Sequence, residues 1–307
     1  MIGGPAKIVT GAAAIFCIQY PDMIRDSSPH SFQPGKIKWN VIGTILGIAI
    51  ALPCSQARAQ DSNAGDHPQW ANVTGRIVAE GDLPEIPPER IAGHKDRPVC
   101  LVDGKVPPDD QLVIDSEGGL RDVFIILTPA ESGATIPVHP SYQEPTAVAL
   151  QLDNSKCRFV PHAMAVVVGQ TVRLTNSDSV GHNCKIASMN NEHNINLPAG
   201  GEAEIKLDSS DRVPANVTCD IHPWMDAVIL AKEHPYVAIT QPDGTFQMNN
   251  VPEGEWKLQF WHYRFGFLRK LVVPEMKVDR RGRITVQLEN AQTLKLGKMT
   301  APTSAIK

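Results

Sequence analysis

The chain has 307 residues and a formal net charge of −4, with 29 Lys and Arg against 33 Asp and Glu. This length suggests about two domains, and the weak acidity argues against a nucleic-acid-binding protein, which would usually present a basic face. With 23 Gly, 25 Pro and 6% aromatic residues, and with no long helical periodicity, the chain is predicted to be all-β. No run of about 18 apolar residues occurs, so no membrane-spanning helix is predicted.

The first predicted element is a targeting segment over residues 1–59. Two lysines precede the uncharged run 41–52, which is typical of a secretory signal and too short to cross a bilayer. A small-x-small motif at 57–59 fits signal cleavage, so residues 60–69 become a flexible leader. Because an internal methionine follows residues 1–22, translation could start there, and it stays open whether that stretch is a start-site artefact. We therefore expect an exported protein, periplasmic or extracellular, with no stable membrane span after signal removal.

Three β-rich stretches follow the leader. Residues 70–145 contain the continuous apolar run Val123–Leu127, which is typical of a buried strand. Residues 146–233 alternate apolar and polar side chains, as strands with one buried face do. Residues 234–290 show the same alternation between Pro- and Gly-containing turns. Residues 291–307 are expected to form a tail.

A cysteine, a histidine and a methionine lie close together in the second stretch. They are Cys219, His222 and Met225, in the spacing Cys-x-x-His-x-x-Met. These soft ligands on one short loop, with a second histidine, would make the His₂Cys arrangement with axial Met of blue-copper sites. His182 is the candidate, because it follows a strand at 171–175 through a short polar loop. The pattern predicts one mononuclear copper centre that cycles between Cu(I) and Cu(II).

Around this motif, residues 157–232 resemble a cupredoxin of the plastocyanin and amicyanin group. The matching residues are Phe159, Pro161, Gly169, Val172, Asn176, His182, Asn183, Cys219, His222, Pro223 and Met225. The resemblance implies an eight-stranded Greek-key sandwich with His182, Cys219, His222 and Met225 as copper ligands. It implies that Asn183 ties the two ligand loops together and that Pro223 supports the site. His222 is then expected to be the most exposed ligand and the electron port, beside an apolar docking surface formed by Pro223 and Trp224.

A zinc site is an alternative that these residues leave open. His182 and Cys184 are two positions apart, so on a strand both would point to one face. Together with Cys219 and His222 they would form a tetrahedral Cys₂His₂ set, although the methionine is then unexplained and the usual finger spacing is missing. Cys184 is otherwise expected to be a free core thiol. The role of His162 stays open: it is either a third imidazole near the metal or an ordinary histidine with satisfied hydrogen bonds.

A disulfide is predicted from the cysteines that remain after export. Four remain, which allows three complete pairings in a compartment where disulfides form. With Cys219 on copper and Cys184 beside a ligand, Cys100 and Cys157 are expected to pair.

The stretches on either side resemble a carboxypeptidase regulatory-like, transthyretin-like sandwich. Its pattern T-x-x-x-G-x-F, then V-P-x-G-x-x-x-L, occurs within 240–258, and its opening resembles 75–84. Residues 70–145 and 234–290 are therefore expected to form one sandwich with a carbohydrate-binding-like fold, into which the cupredoxin at 146–233 is inserted. Three consecutive β units remain the alternative.

These features together predict a blue-copper protein that shuttles single electrons between a redox protein donor and acceptor. A mononuclear site with four protein ligands has no open position for a substrate, so an enzyme is not expected. The domain combination resembles exported chains of the methylamine-utilisation type. The alternative is a non-enzymatic copper-binding or carbohydrate-binding-like envelope protein, in which the cupredoxin domain is structural.

Overall fold

The computed structural model describes residues 69–83, 91, 93–107, 109–131, 133–142, 147 and 149–306. The predicted targeting segment 1–59 and the leader 60–69, except for Gln69, lie outside the described residues. Within the described part, no helix is long and apolar enough to cross a membrane.

Strands dominate the described chain, which confirms the predicted all-β class. In chain order they are β1 (Trp70–Glu80), β2 (Phe124–Pro129), β3 (Leu150–Asn154), β4 (Phe159–Val160), β5 (Ala163–Val167), β6 (Thr171–Asn176), β7 (His182–Ala187), β8 (Glu192–Leu197), β9 (Glu202–Lys206), β10 (Ala215–Thr218), β11 (Asp226–Lys232), β12 (Val237–Ile239), β13 (Thr245–Pro252), β14 (Gly254–His262), β15 (Gly266–Phe267), β16 (Arg283–Leu288) and β17 (Thr293–Pro302). The described residues also form a short helix, α1 (Arg97–Cys100), and the 3₁₀ turns Pro140–Tyr142 and Thr303–Ala305.

Strands β3 to β11 form the central sandwich. Its two sheets have the strand orders β5-β11-β10-β7-β8 and β4-β3-β6-β9. In β6, Val172 and Leu174 are fully buried between the sheets while Arg173 is exposed, as the alternation in the sequence predicts. The rest of this core includes Phe159, Ile186, Val217 and Ile229.

The remaining strands form the flanking sandwich. Its sheets have the orders β13-β1-β17 and β12-β2-β14-β15, with β16 beside β14. In the described part of the chain, both neighbours of β1 and both neighbours of β2 come from residues 237–302. This pairing supports an insertion of the central sandwich into the flanking one over a series of consecutive units.

The predicted tail at 291–307 is corrected by the structure, because β17 lies within it. This strand pairs in parallel with β1 and buries Leu296 and Met299. The alternation of buried and exposed residues breaks at Gly297, which has a φ of +69° and lies where the register with β1 shifts. Period-two patterning therefore does not reveal this strand in the sequence.

Strand β2 joins the two sandwiches because it is buried on both faces. Ile125 and Leu127 lie in the core of the flanking sandwich. Phe124 and Ile126 point the other way, into a separate apolar cluster that includes Leu230 of β11. Burial on both sides explains why the sequence of β2 is continuously apolar instead of alternating.

A buried ionic cluster centred on His162 lies beside this apolar contact. Its Nδ1 is 2.9 Å from an Asp122 carboxylate oxygen and its Nε2 is 3.2 Å from one of Asp226, so the ring bridges the two sandwiches. Arg121 also pairs with Asp122 at 2.9 Å. Burial lowers the pKa of His162, but the two carboxylates outweigh it and raise that pKa to about 9. His162 is therefore a bridging cation, not a third imidazole of the predicted metal site.

The His162 cluster predicts a pH-dependent stability. Because the folded-state pKa is raised, the stabilisation is fully present below the unfolded value of 6.5 and is lost as pH rises through about 9. We expect the free energy of unfolding of the metal-free protein to fall by roughly 3 kcal/mol more across this window than that of a His162→Gln variant. The neighbouring His262, whose pKa burial lowers to about 3, stays neutral throughout. Urea unfolding at a series of pH values measures the difference, and parallel curves for the two proteins would contradict it.

The strand pairing predicts how truncation acts. A chain ending at residue 233 loses β12 to β17, so β1 and β2 lose their partner strands and should drive aggregation through unpaired apolar edges. A fragment of 146–233 carrying Cys157→Ser keeps both sheets of the central sandwich and should stay folded. Size-exclusion chromatography and thermal unfolding compare the two. A soluble 60–233 fragment that melts sharply would reject the inserted arrangement.

Candidate metal centre

Two neighbouring strands bring the predicted ligands together at one end of the central sandwich. β7 begins at His182, and its antiparallel partner β10 ends just before Cys219. The loop from Cys219 to Met225 then leads into β11. It is closed by two backbone hydrogen bonds, from the Met225 N–H to the His222 carbonyl at 2.9 Å and from the Cys219 N–H to the Met225 carbonyl at 3.4 Å.

Three donor atoms converge in this buried site. The Nδ1 atoms of His182 and His222 lie 3.9 and 3.8 Å from the sulfur of Cys219. The donor atoms of the three residues all lie within 4.8 Å of one another. Met225 is also buried, at the end of the same loop. The arrangement can hold a single metal ion between two imidazoles and a thiolate.

The electrostatics of Cys219 fit such an ion. Burial alone would raise the pKa of this thiol, but hydrogen bonds with His182 and His222 and from the backbone N–H of Asn183 outweigh it and lower the pKa to about 6. A thiol with this pKa is largely thiolate at neutral pH, and thiolate is the form that binds soft metals.

Cys184 does not join this group. Among the described residues, no cluster of three or more His, Cys, Asp or Glu donor atoms within 4.8 Å includes it. Burial, with a smaller effect of the nearby Cys219, raises the pKa of Cys184 to about 12, so it remains a protonated thiol. The structure therefore does not assemble the Cys₂His₂ set of the zinc alternative.

Asn183 connects the two ligand loops. Its side-chain oxygen accepts the backbone N–H of Asp220 at 2.7 Å, and its side-chain nitrogen donates to the Asp220 carboxylate at 3.2 Å. Its own backbone N–H points to the Cys219 sulfur at 3.5 Å. These bonds hold the start of β7 against the residue that follows Cys219. In the same loop Pro223 is exposed and Trp224 is half-buried.

Each histidine has a carboxylate on the ring nitrogen that faces away from Cys219. Nε2 of His182 is 2.9 Å from Asp178, and Nε2 of His222 is 3.2 Å from Asp96. Asp178 also accepts the backbone N–H groups of Lys156 and Cys157; burial raises its pKa, but these bonds and His182 outweigh that and lower it. Carboxylates in this position orient a ligating imidazole and raise its basicity.

Sequence reasoning missed both carboxylates. Asp178 lies four residues before His182, inside the very motif that carries the cupredoxin resemblance, so its spacing was a usable signal. Asp96 lies 126 positions from His222 in the part of the chain predicted to belong to the other sandwich, and no local pattern marks it.

The expectation that His222 is the most exposed ligand is wrong, because its side chain is 0% exposed. Residues 93–107, which we call the cap, cover it. Asp96 meets its ring edge, and the ring of His94 lies 4.9 Å from its own, centroid to centroid. Trp224 packs on the same ring at 5.2 Å.

A disulfide pins the cap to the central sandwich. Cys100, the last residue of α1, is bonded to Cys157, with 5.0 Å between the two Cα atoms. Both cysteines, together with Ile91, are buried in the core of the central sandwich. This part of the stretch 70–145 therefore packs on the central sandwich and not on the flanking one.

Among known proteins, solved cupredoxin structures match part of this chain. No protein-family model matches the chain, and no curated protein matches it significantly. Among solved structures, a purple cupredoxin from Nitrosopumilus maritimus matches 27% of this chain and 99% of its own, at 23% identity and a TM-score of 0.24. An oxidized amicyanin mutant matches 32% of this chain and 97% of its own, at 16% identity and a TM-score of 0.25. Matches with TM-scores this low do not establish the family or the activity of this chain.

A third matched structure corrects the exclusion of enzymes made from the sequence. It is a copper-containing nitrite reductase from Thermus scotoductus SA-01, with 19% identity and a TM-score of 0.26 over 34% of this chain. The match spans only a quarter of the reductase chain. Since an enzyme is among the similar structures, the statement that this chain is not an enzyme does not stand.

The disulfide generates a prediction about stability. Replacing both Cys100 and Cys157 by Ser removes a bridge that spans 57 positions, which should lower the free energy of unfolding by about 4 kcal/mol in the chain-entropy model. Thermal unfolding of the metal-free protein measures the loss. Peptide mapping without reductant should recover the bridged peptide from the wild type and from a Cys184→Ala control. Recovery of both thiols free in the wild type would contradict the prediction.

Proposed function

We propose that this chain is an exported copper protein that transfers single electrons through a mononuclear centre at His182, Cys219, His222 and Met225. The proposal is carried by the convergence of two imidazole Nδ1 atoms on a buried thiol whose pKa is about 6. Thiolate and thioether favour Cu(I) and imidazole tolerates Cu(II), so copper bound here would supply one-electron redox chemistry.

The protein residues hold the donor atoms in one arrangement. Asn183 fixes the two ligand loops against each other, and Asp178 and Asp96 fix the outer edges of the imidazoles. Each donor group belongs to a strand end or to a loop closed by backbone hydrogen bonds. A site held in this way needs little rearrangement when the charge of a bound ion changes, as single-electron exchange requires.

The surface next to the site is the proposed meeting place with redox partners. Pro223 is exposed, and Trp224 is half-buried with its ring against His222. Because His222 itself is covered, a protein donor or acceptor would contact these residues and the cap instead of a ligand edge. Both partners are proposed to be redox proteins.

Export and the second sandwich belong to the same proposal. The signal-like segment 1–59 and the disulfide both suit an oxidising periplasmic or extracellular compartment. The flanking sandwich, which resembles a transthyretin-like, carbohydrate-binding-like fold in sequence, would act as a spacer or as a contact with envelope carbohydrate.

Copper loading of ligand variants tests the proposed function. The wild type should be intensely blue and reversibly reduced by one electron. Cys219→Ser should lose the colour, because the thiolate supplies the absorbing transition, and Met225→Gln should stay blue with a lower potential. Optical and EPR spectra with voltammetry measure both effects, and Cys184→Ser is the control that should stay blue.

Three outcomes would count against this function. A Cys219→Ser variant that stays blue would show that the thiolate is misassigned. Loss of bound metal in Cys184→Ser would favour the zinc alternative. A wild type that remains colourless with copper would favour a structural role for the central sandwich.

A further inference from the structure

Asp96 contacts His222 but belongs to the cap, whereas the four predicted ligands belong to the central sandwich. The carboxylate oxygen lies 3.2 Å from Nε2 of His222, whose opposite nitrogen, Nδ1, faces the sulfur of Cys219 at 3.8 Å. The His222 side chain is fully buried and that of Asp96 is 18% exposed. A ring that binds a metal through Nδ1 keeps its one proton on Nε2, and a carboxylate at Nε2 accepts that proton in a hydrogen bond.

Asp96 is held firmly enough to impose this orientation. Its backbone carbonyl accepts the N–H groups of Val99 and Cys100, at 3.0 and 3.2 Å, in the turn that forms α1. Its own N–H donates to Nδ1 of His94 at 3.2 Å. Cys100, at the other end of α1, is bonded to Cys157 in the central core. The position of Asp96 therefore depends on a covalently anchored turn, not on a free surface loop.

We propose that Asp96 is a positioning residue of the metal centre, supplied by the cap, which sets the orientation and donor strength of His222. This inference rests on the proposed copper function. The negative charge strengthens Nδ1 as a donor, and a stronger donor favours Cu(II) over Cu(I), so Asp96 lowers the reduction potential. Asp178 contacts His182 in the same way from the central sandwich. The two histidines thus receive equivalent carboxylates, one from the central sandwich and one from the cap.

A second metal site at the same residues is the competing interpretation. Donor atoms of His94, Asp96 and His222 also lie within 4.8 Å of one another. An ion bound there as well would require the His222 ring to lose its Nε2 proton and to bridge two metals. The hydrogen-bond distance between Nε2 and the carboxylate favours a retained proton.

The test compares Asp96→Asn and Asp96→Ala with Asp103→Asn, which removes an equal charge from an exposed position of the same cap. Loss of a carboxylate behind a ligating histidine typically weakens metal binding by about tenfold or more. If Asp96→Asn weakens Cu(II) binding tenfold and leaves Cu(I) binding unchanged, the potential rises by about 59 mV. Asp103→Asn should match the wild type in potential and in metal affinity.

A measurement on the metal-free protein separates this inference from the proposed function. Long-range ¹H–¹⁵N NMR of His222 should show a proton on Nε2 in the wild type and in Asp103→Asn, and a lower population of the Nε2–H form in Asp96→Ala. This readout does not need copper. If the wild type fails to become blue while the loss of the Nε2 proton is seen in Asp96→Ala, the copper function fails and the positioning role stands.

Two results would overturn the positioning role. One is an Asp96→Asn protein whose potential equals that of the Asp103→Asn control, together with an Asp96→Ala protein whose population of His222 Nε2–H also equals that of the control. The other is a wild type that binds two copper ions per chain and an Asp96→Ala variant that binds one, which would assign Asp96 to a second metal site. Circular dichroism and thermal unfolding of each variant confirm that the folded proteins are being compared.

Discussion

The burial of β2 on both faces is the constraint on which the rest of this structure depends. A strand without a polar face has to find apolar neighbours on two sides, and β2 finds them in the core of the flanking sandwich and in the cluster with β11. The two sandwiches are therefore joined through packed cores, and the bridging His162 adds a charged contact at the same boundary. Between β1 and β2 in the chain, the cap contacts His222 at the end of the central sandwich where the donor atoms lie.

The candidate metal centre is thus built from two levels of structure. The donor atoms come from adjacent strand ends and one tight loop, which local backbone hydrogen bonding suffices to arrange. The residues that hydrogen-bond to the ligands and hold them in place come from more distant parts of the chain. Asp178 and Asn183 reach the site from the β6–β7 region, whereas Asp96 reaches it from a cap that is anchored by a disulfide. The cap leaves the His222 side chain fully buried, so the solvent exposure of this ligand depends on a segment outside the central sandwich.

Sequence patterns anticipated the features that depend on neighbours in the chain. The all-β class follows from alternation and turn residues, and the loop of Cys219, His222 and Met225 follows from spacing, because both signals lie within a few residues. His182 begins the strand that pairs with the one leading into that loop, and its own sequence motif was enough to propose it as a ligand. The covering of His222 could not be anticipated, because the contact with Asp96 links residues 126 positions apart without any periodic signal. β17 was missed because the bulge at Gly297 breaks the only pattern that would have revealed it.

The interleaved chain order has a consequence for how the protein matures. Every strand of the central sandwich finds its partners within residues 150–232, so this unit can complete its sheets as soon as it has been synthesised. β1 can pair with β17 only after the end of the chain has been made. The Thr303 hydroxyl likewise donates a hydrogen bond to the carbonyl of Glu80, 223 positions earlier. Contacts of such high sequence separation form slowly, because a long loop has to close before they contribute. The central sandwich lies within that loop, so we expect that folding it first would shorten the effective distance between the two halves of the flanking sandwich.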